Sequence, residues 1–66
     1  ISTQQLKAAL ERCAESDREA FELHYIAGLG YSEIARRLGV AIGTVASRLH
    51  RARTRLRGEL EPLLAR

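Results

Sequence analysis

The sequence predicts an all-α domain of four helices, without strands, that contains a helix-turn-helix. Apolar residues recur at spacings of three and four along most of the chain, which is the period of an amphipathic helix, and no stretch alternates as a strand would. Glycines fall where these apolar stripes end. With 66 residues the chain is one small domain, which we expect to be a fragment of a longer protein because it begins with Ile1.

The first helix is predicted over residues 3–14. Its start carries a capping box, in which the Ser2 hydroxyl accepts the backbone N–H of Gln5 and the Gln5 side chain accepts that of Ser2. Its apolar stripe has i, i+3, i+4, i+7 spacing and consists of Leu6, Ala9, Leu10 and Cys13. Cys13 is therefore expected to be a core residue rather than a nucleophile.

The second helix is predicted over residues 16–27, and it starts at a stronger capping box formed by Ser16 and Glu19. Gly28 is placed to end it. Its apolar residues are Ala20, Phe21, Leu23, Tyr25 and Ile26.

Two closely spaced helices follow, over residues 31–38 and 42–60. Gly30 and Glu33 are candidates to cap the third helix, Gly39 ends it in a tight or left-handed turn, and Val40 returns to the core. Pro62 is expected to end the fourth helix. The buried stripe of that helix is predicted to be Ile42, Val45, Leu49, Ala52, Leu56 and Leu60.

Charge is unevenly distributed along the chain. Residues 1–33 hold three basic and six acidic side chains, whereas residues 34–66 hold eight basic and two acidic ones, giving −3 and +6. This asymmetry favours a polyanionic partner, nucleic acid before an anionic membrane. A single cysteine excludes an internal disulfide, and no apolar run is long enough for a membrane span or signal peptide, so a cytoplasmic setting is expected.

The helix-turn-helix is predicted over residues 31–51. The small Ala35 allows the two helices to cross closely, and a shared apolar core fixes the second helix so that residues 43–51 can enter a DNA major groove about 12 Å wide. The residues of that core are Ile34, Leu38, Val40, Val45 and Leu49.

Position along this motif divides the expected contacts into two groups. Gly43 and Thr44 are small enough for close approach of the helix N-terminus to a phosphate or base. Side chains able to meet base edges or the backbone are Ser47, Arg48, His50 and Arg51. Side chains placed for phosphates are Arg36, Arg37, Arg53, Arg55 and Arg57.

The segment GLGYSEIARRLGVAIGTVASRLHRARTRLR resembles region 4 of the extracytoplasmic-function (ECF) sigma factors of bacterial RNA polymerase. The most specific part of the resemblance is GTV followed by SRLHRAR. It implies a four-helix domain of the winged-helix-like, sigma region 4 type that binds double-stranded promoter DNA at the −35 element. It also implies docking on the flap of the polymerase β subunit, and an anti-sigma factor as a further candidate partner.

By the family's pattern, the recognition-helix positions are occupied by Thr44, Ser47, Arg48, His50 and Arg51. The same pattern places Tyr31 and Arg37 near phosphates. Ala46 stands where many members have a lysine or arginine that contacts DNA, so the recognised sequence is expected to differ from the usual one or to be bound more weakly. Gly30 replaces the usual serine cap, Ala41 the usual proline, and ESD the usual leucine-proline start of the second helix.

Three alternatives to a sigma factor domain are an enzyme, a response-regulator domain and a protein-docking module. An enzyme is disfavoured because His24, His50 and Cys13 lack metal-ligand spacing and no phosphate-binding loop is present, so we predict no catalytic site, metal, cofactor or small-molecule substrate. A LuxR-type response-regulator domain also has GTV before its recognition helix, but the sequence that follows usually differs from the SRLHRAR of this chain. A protein-docking module, for the polymerase flap or an anti-sigma factor, would use exposed Leu29, Leu60 and Leu63.

Overall fold

The protein folds into four α-helices, as seen in a computed structural model that describes residues 1–64. No strand occurs among these residues, so the predicted all-α class is confirmed. The helices are α1 (Thr3–Glu11), α2 (Glu15–Tyr25), α3 (Tyr31–Leu38) and α4 (Ile42–Leu64).

Helix α4 is the central element, because α1, α2 and α3 all pack against it. Its 23 residues make a rod about 35 Å long, which accounts for the elongated 40 × 18 × 16 Å shape of the molecule. Its buried side chains follow the helical period and are Val45, Leu49, Ala52 and Leu56.

The core consists of two clusters that share α4. The first joins α2, α3 and the N-terminal half of α4, and its buried members are Ala20, Ile34, Ala35, Val45 and Leu49. The second joins the end of α1 to the middle of α4, and its members are Ala9, Leu10, Cys13 and Leu56. Phe21 and Leu60 pack against the second cluster, and Phe21 contacts both. Burial raises the pKa of the Cys13 thiol, as expected for a core residue.

The turn between α3 and α4 has the predicted geometry. Gly39 adopts a left-handed conformation with φ 69°, and its N–H donates to the carbonyl of Ala35. The N–H of Val40 donates to the same carbonyl at 3.0 Å, and the Val40 side chain packs on the first cluster. Leu38 packs there too, so all five predicted core residues of the helix-turn-helix contribute to one cluster.

The predicted starts of α1, α3 and α4 are confirmed, and that of α2 is wrong by one residue. Both hydrogen bonds of the Ser2–Gln5 capping box are present. At α2, however, Ala14 is the cap residue and makes no side-chain hydrogen bond, so Ser16 lies inside the helix where its hydroxyl cannot cap. The helix dipole is met instead by Glu15 and Asp17 in the first turn. The bounds of α3 are those predicted.

The third helix starts at Gly30 without a side-chain cap. Glu33 does not reach back to the Gly30 N–H, because its carboxylate pairs with Arg36 at 2.8 Å. The reciprocal cap suggested by the sequence is therefore not formed.

Predicted helix ends also differ in places. Helix α1 stops at Glu11, three residues early, because the chain turns at Arg12 and Cys13, whose N–H groups donate to the carbonyls of Ala9 and Leu10. Helix α2 stops at Tyr25, and Gly28 with φ 76° then reverses the chain as expected. Pro62 does not end α4, which continues to Leu64. Proline removes one donor to the carbonyl four residues earlier, but that carbonyl belongs to exposed Gly58, where water can replace the lost bond.

The buried stripe of α4 is shorter than predicted. Ile42 is 51% exposed, because it occupies the first turn before the helix packs against its neighbours. Leu60 is half-buried at the other end. The four residues between them are buried as expected.

Replacing Leu49 by alanine should lower the free energy of unfolding by about 2 to 5 kcal/mol, since the side chain is fully buried between three helices. The matched control is Ile42→Ala, which removes an apolar side chain from the same helix at an exposed position and should change stability by about 0.5 kcal/mol or less. Denaturant unfolding followed by circular dichroism measures both. Equal losses in the two variants would contradict the division into buried and exposed ends.

Candidate nucleic-acid interface

The outer face of α4 is an exposed strip of small, polar and basic residues. It lies opposite the buried stripe, because the buried and the exposed residues of α4 each recur with the period of the helix. Its exposed members are Gly43, Ser47, His50, Arg51 and Thr54. Thr44, Ala46 and Arg48 flank this face and are half-buried. All five predicted base-reading residues therefore lie within two turns of one helix, outside the core.

The N-terminus of α4 is open to close approach. The first backbone donors of this helix with partners in the chain are Thr44 and Val45, which both donate to the carbonyl of Ala41. A Cβ added at Gly43 would meet no atom within 4 Å. Gly43 is thus not required by packing inside the domain, and the space in front of it is free for a ligand.

The basic surface is concentrated on α3 and α4. Residues 34–57 contain seven arginines and no acidic residue. Four of these arginines contact other side chains of the domain, and the other three do not within residues 1–64. The unpartnered arginines are Arg37, Arg48 and Arg57.

Two predicted phosphate-binding arginines form exposed ion pairs. Arg36 pairs with Glu33 at 2.8 Å within α3, and Arg55 pairs with Glu59 at 3.5 Å within α4. Glu59 also contacts Arg12 at 3.4 Å, which links α4 to the end of α1. Exposed pairs of this kind contribute little to stability, about 0.2 to 1 kcal/mol, so a phosphate could replace the carboxylate at small cost.

Arg53 and Tyr31 belong to a polar and aromatic cluster between α2, α3 and α4. The Arg53 guanidinium donates to the Tyr25 hydroxyl at 2.9 Å, and hydrogen bonding to Tyr25 and then Tyr31 raises the pKa of Arg53. His24 packs edge-on against both tyrosines, with ring centroids 4.7 and 5.2 Å apart. Its Nδ1 lies 2.8 Å from the carbonyl of Leu29. This cluster holds Tyr31 and Arg53, two predicted phosphate ligands, beside each other.

Arg51 contacts the one buried acidic residue of the described chain. Asp17, on α2, is only 6% exposed. The Arg51 Nε lies 3.2 Å from both carboxylate oxygens of Asp17, and its Nη2 lies 3.1 Å from Oδ1. A predicted DNA-contacting arginine of α4 is therefore attached to the first turn of α2.

Asp17 was not recognised from the sequence as a functional residue. One signal could have found it, because Asp17 follows Cys13 by four residues and precedes Ala20 by three, which places it on an apolar face. A carboxylate on a buried face needs a cationic partner. The identity of that partner, 34 positions away, follows only from the packing of α2 on α4.

A second surface feature is an apolar groove of about 560 Å³ between α2 and the C-terminal half of α4. Its apolar walls are Phe21, Tyr25, Leu56, Leu60 and Leu64. The exposed apolar residues differ from those that the sequence predicts for docking. Leu29 and Leu60 are half-buried against the core clusters, and Leu63 is half-buried as well, whereas Tyr25, Ile26 and Leu64 are more than half exposed.

Residues 1–64 contain no group of three or more histidine, cysteine, aspartate or glutamate side chains that could hold a metal ion. Within the same range, every helix is too short or too polar to cross a membrane.

Comparison with known proteins agrees with the architecture. Residues 3–56 match the family model described as sigma-70, region 4. The chain is 49% identical over 55 residues to the ECF RNA polymerase sigma factor SigE of Mycolicibacterium smegmatis, covering 83% of this chain and 21% of the relative. It is 38% identical over 56 residues to the ECF sigma factor EcfG of Rhodopseudomonas palustris, covering 85% and 31% respectively.

A third relative is the ECF RNA polymerase sigma-E factor of Escherichia coli K12, with 39% identity over 57 residues, 86% of this chain and 30% of the relative. The chain thus spans less than a third of the length of each of these curated relatives. The family model, by contrast, covers most of this chain and includes all four helices in whole or in part. The chain therefore belongs to the region 4 family of sigma-70 factors, in its ECF form.

Proposed function

We propose that this domain binds promoter DNA at the −35 element, with the N-terminal half of α4 in the major groove. One observation supports this most directly. Seven arginines without an acidic residue occur in residues 34–57, on the two helices whose orientation the first core cluster fixes. As a region 4 domain, the chain is not an enzyme. The family match gives no support to a LuxR-type response regulator.

The proposed base-reading residues are Thr44, Ser47, Arg48, His50 and Arg51. Arg48 and Ser47 are the strongest candidates, since they lie on or beside the exposed face and Arg48 has no partner within residues 1–64. Its guanidinium can therefore form a bidentate contact with guanine without breaking a bond.

The proposed phosphate ligands are Tyr31, Arg36, Arg37, Gly43, Arg53 and Arg55. Arg37 is exposed and unpartnered within the described chain, so it can neutralise a phosphate at no internal cost. Arg36 and Arg55 would exchange a partly exposed carboxylate for a phosphate. Arg53 is held by its hydrogen bond to Tyr25, and Tyr31 belongs to the same cluster through its contact with His24.

Within a complete sigma factor, the domain would act in the bacterial cytoplasm on promoter DNA and on core RNA polymerase. The apolar groove between α2 and α4 is the candidate surface for the flap of the β subunit. It lies beside the part of α4 that follows the DNA-facing half, and its lining includes Arg53, so the two proposed surfaces adjoin at this residue. An anti-sigma factor would compete for either surface.

The function is tested by selecting ligands from a randomised duplex library, with the 66-residue chain alone and with core RNA polymerase present. We expect a short enriched motif, and an affinity for the selected duplex that falls steeply with salt. The logarithm of the binding constant should fall by about 0.9 per neutralised phosphate for each tenfold rise in salt. If the chain binds polymerase with little dependence on salt and no duplex motif is enriched, the domain is instead a protein-docking module.

Gly43→Ala tests the close approach of α4 to DNA. The added methyl group meets no protein atom within 4 Å, so the domain should fold as before, while a DNA surface in contact with Gly43 would be pushed away. We expect roughly tenfold weaker binding, about 1.4 kcal/mol. The control is Gly58→Ala, an exposed glycine of the same helix with equally open surroundings, which should leave DNA affinity unchanged. Unchanged affinity in Gly43→Ala would place DNA elsewhere.

Arg48→Ala and Arg37→Ala separate base contacts from phosphate contacts. Loss of Arg48 should cost about 1 to 3 kcal/mol of specific binding and relax the preference at one base pair. Loss of Arg37 should weaken binding to all duplexes alike and reduce the salt slope by about one. Titrations of the selected duplex and its single-base variants measure both effects. If Arg37→Ala relaxes the preference at one base pair and Arg48→Ala weakens binding to all duplexes, then Arg37 contacts a base and Arg48 a phosphate.

A further inference from the structure

We infer that Asp17 is a positioning residue, which orients Arg51 so that its free guanidinium edge contributes to sequence discrimination by α4. This inference rests on the proposed promoter binding. Asp17 lies on α2, within the part of the chain that covers the back of α4, and it does not itself belong to the DNA-facing surface.

The pair has the geometry of a fixed attachment. The Arg51 Nε lies 3.2 Å from each oxygen of the Asp17 carboxylate, and the Nη2 lies 3.1 Å from Oδ1. The Asp17 side chain is only 9% exposed, so its charge depends on this contact rather than on water. A buried carboxylate with one strong partner restricts the rotamers of that partner.

The same geometry leaves half of the guanidinium available. Arginine has five N–H donors, and Asp17 occupies those on the Nε side. The hydrogens of Nη1 and the second hydrogen of Nη2 remain on the far edge. The Arg51 side chain is 56% exposed, so this edge faces the solvent beside the outer face of α4. A free edge of this kind matches the paired acceptors of guanine or of a phosphate.

Orientation and charge both favour discrimination over general attraction. An arginine that is ordered before binding loses less side-chain freedom when it meets its base, which favours the one sequence that fits its position. The carboxylate also cancels the arginine charge locally, so Arg51 adds little to attraction for any phosphate backbone. Asp17 is thus expected to raise the ratio of specific to non-specific affinity rather than affinity as a whole.

Asp17→Asn is the variant that tests this, because it keeps the side-chain shape and removes the charge that fixes Arg51. The control is Glu19→Gln, which makes the same change of charge at an exposed position of the same helix. Both are measured against the selected duplex and a scrambled duplex at several salt concentrations. Circular dichroism melts set a temperature at which every variant is folded.

We expect Asp17→Asn to lower the specific-to-non-specific affinity ratio about five- to tenfold, with non-specific affinity unchanged or higher. Glu19→Gln should leave the ratio unchanged. In an Arg51→Ala background, Asp17→Asn should have no further effect on the ratio, because the residue it positions is gone. Arg51→Lys keeps the charge and the buried partner but lacks the fork, so it should lose discrimination even if Asp17→Asn does not fold.

Three results would overturn the inference while leaving promoter binding intact. In the first, the parent domain prefers the selected duplex, and a folded Asp17→Asn variant shows the same ratio of specific to non-specific affinity. In the second, Asp17→Asn lowers the ratio of specific to non-specific affinity equally in the parent and in the Arg51→Ala background. Full discrimination by Arg51→Lys would overturn it as well. A parent domain with no sequence preference, alone or on polymerase, would instead overturn the proposed function and this inference together.

Discussion

The packing of α4 against all three other helices determines both the stability of this domain and the direction of its basic face. Val45 and Leu49 join α4 to α2 and α3 in the first core cluster, and Leu56 joins α4 to the end of α1 in the second. Because a helix is rigid over this length, burying one stripe fixes the opposite one. A change inside the core would therefore alter the position of the exposed residues without touching them, as a rotation of α4 displaces all of its side chains together.

Within that frame, the arginines of the basic face differ in how firmly they are held. Arg36 and Arg55 pair with partly exposed carboxylates, and such surface pairs exchange readily with water or another anion. Arg51 differs because its partner, Asp17, is buried and would be left without compensation if the contact broke. The surface thus combines loosely paired arginines, which suit a phosphate backbone of any sequence, with one arginine attached to a buried carboxylate.

Much of this arrangement could be predicted from the sequence, because it depends on neighbouring residues. The four helices follow from apolar spacing, and the turn at Gly39 and Val40 follows from the need for a left-handed residue before the chain returns to the core. The errors have tertiary causes. Ser16 satisfies a local capping rule, but α2 starts one residue earlier, and Ile42 continues the stripe where no helix covers it. The pairing of Asp17 with Arg51 joins residues 34 positions apart, which no local pattern specifies.

The chemistry of the outer face gives Asp17 particular weight. Ala46 lies beside Ser47 and Arg48 on α4, and its methyl group offers no hydrogen bond to a base edge. With no polar side chain at this flanking position, the sequence preference of the proposed promoter complex depends on the contacts that remain. An arginine that moves freely among phosphates adds affinity for every sequence, whereas one that is held at a single position distinguishes among them. In the proposed complex, the attachment of Arg51 to Asp17 would thus restore some of the sequence discrimination that a lysine or arginine at position 46 would provide.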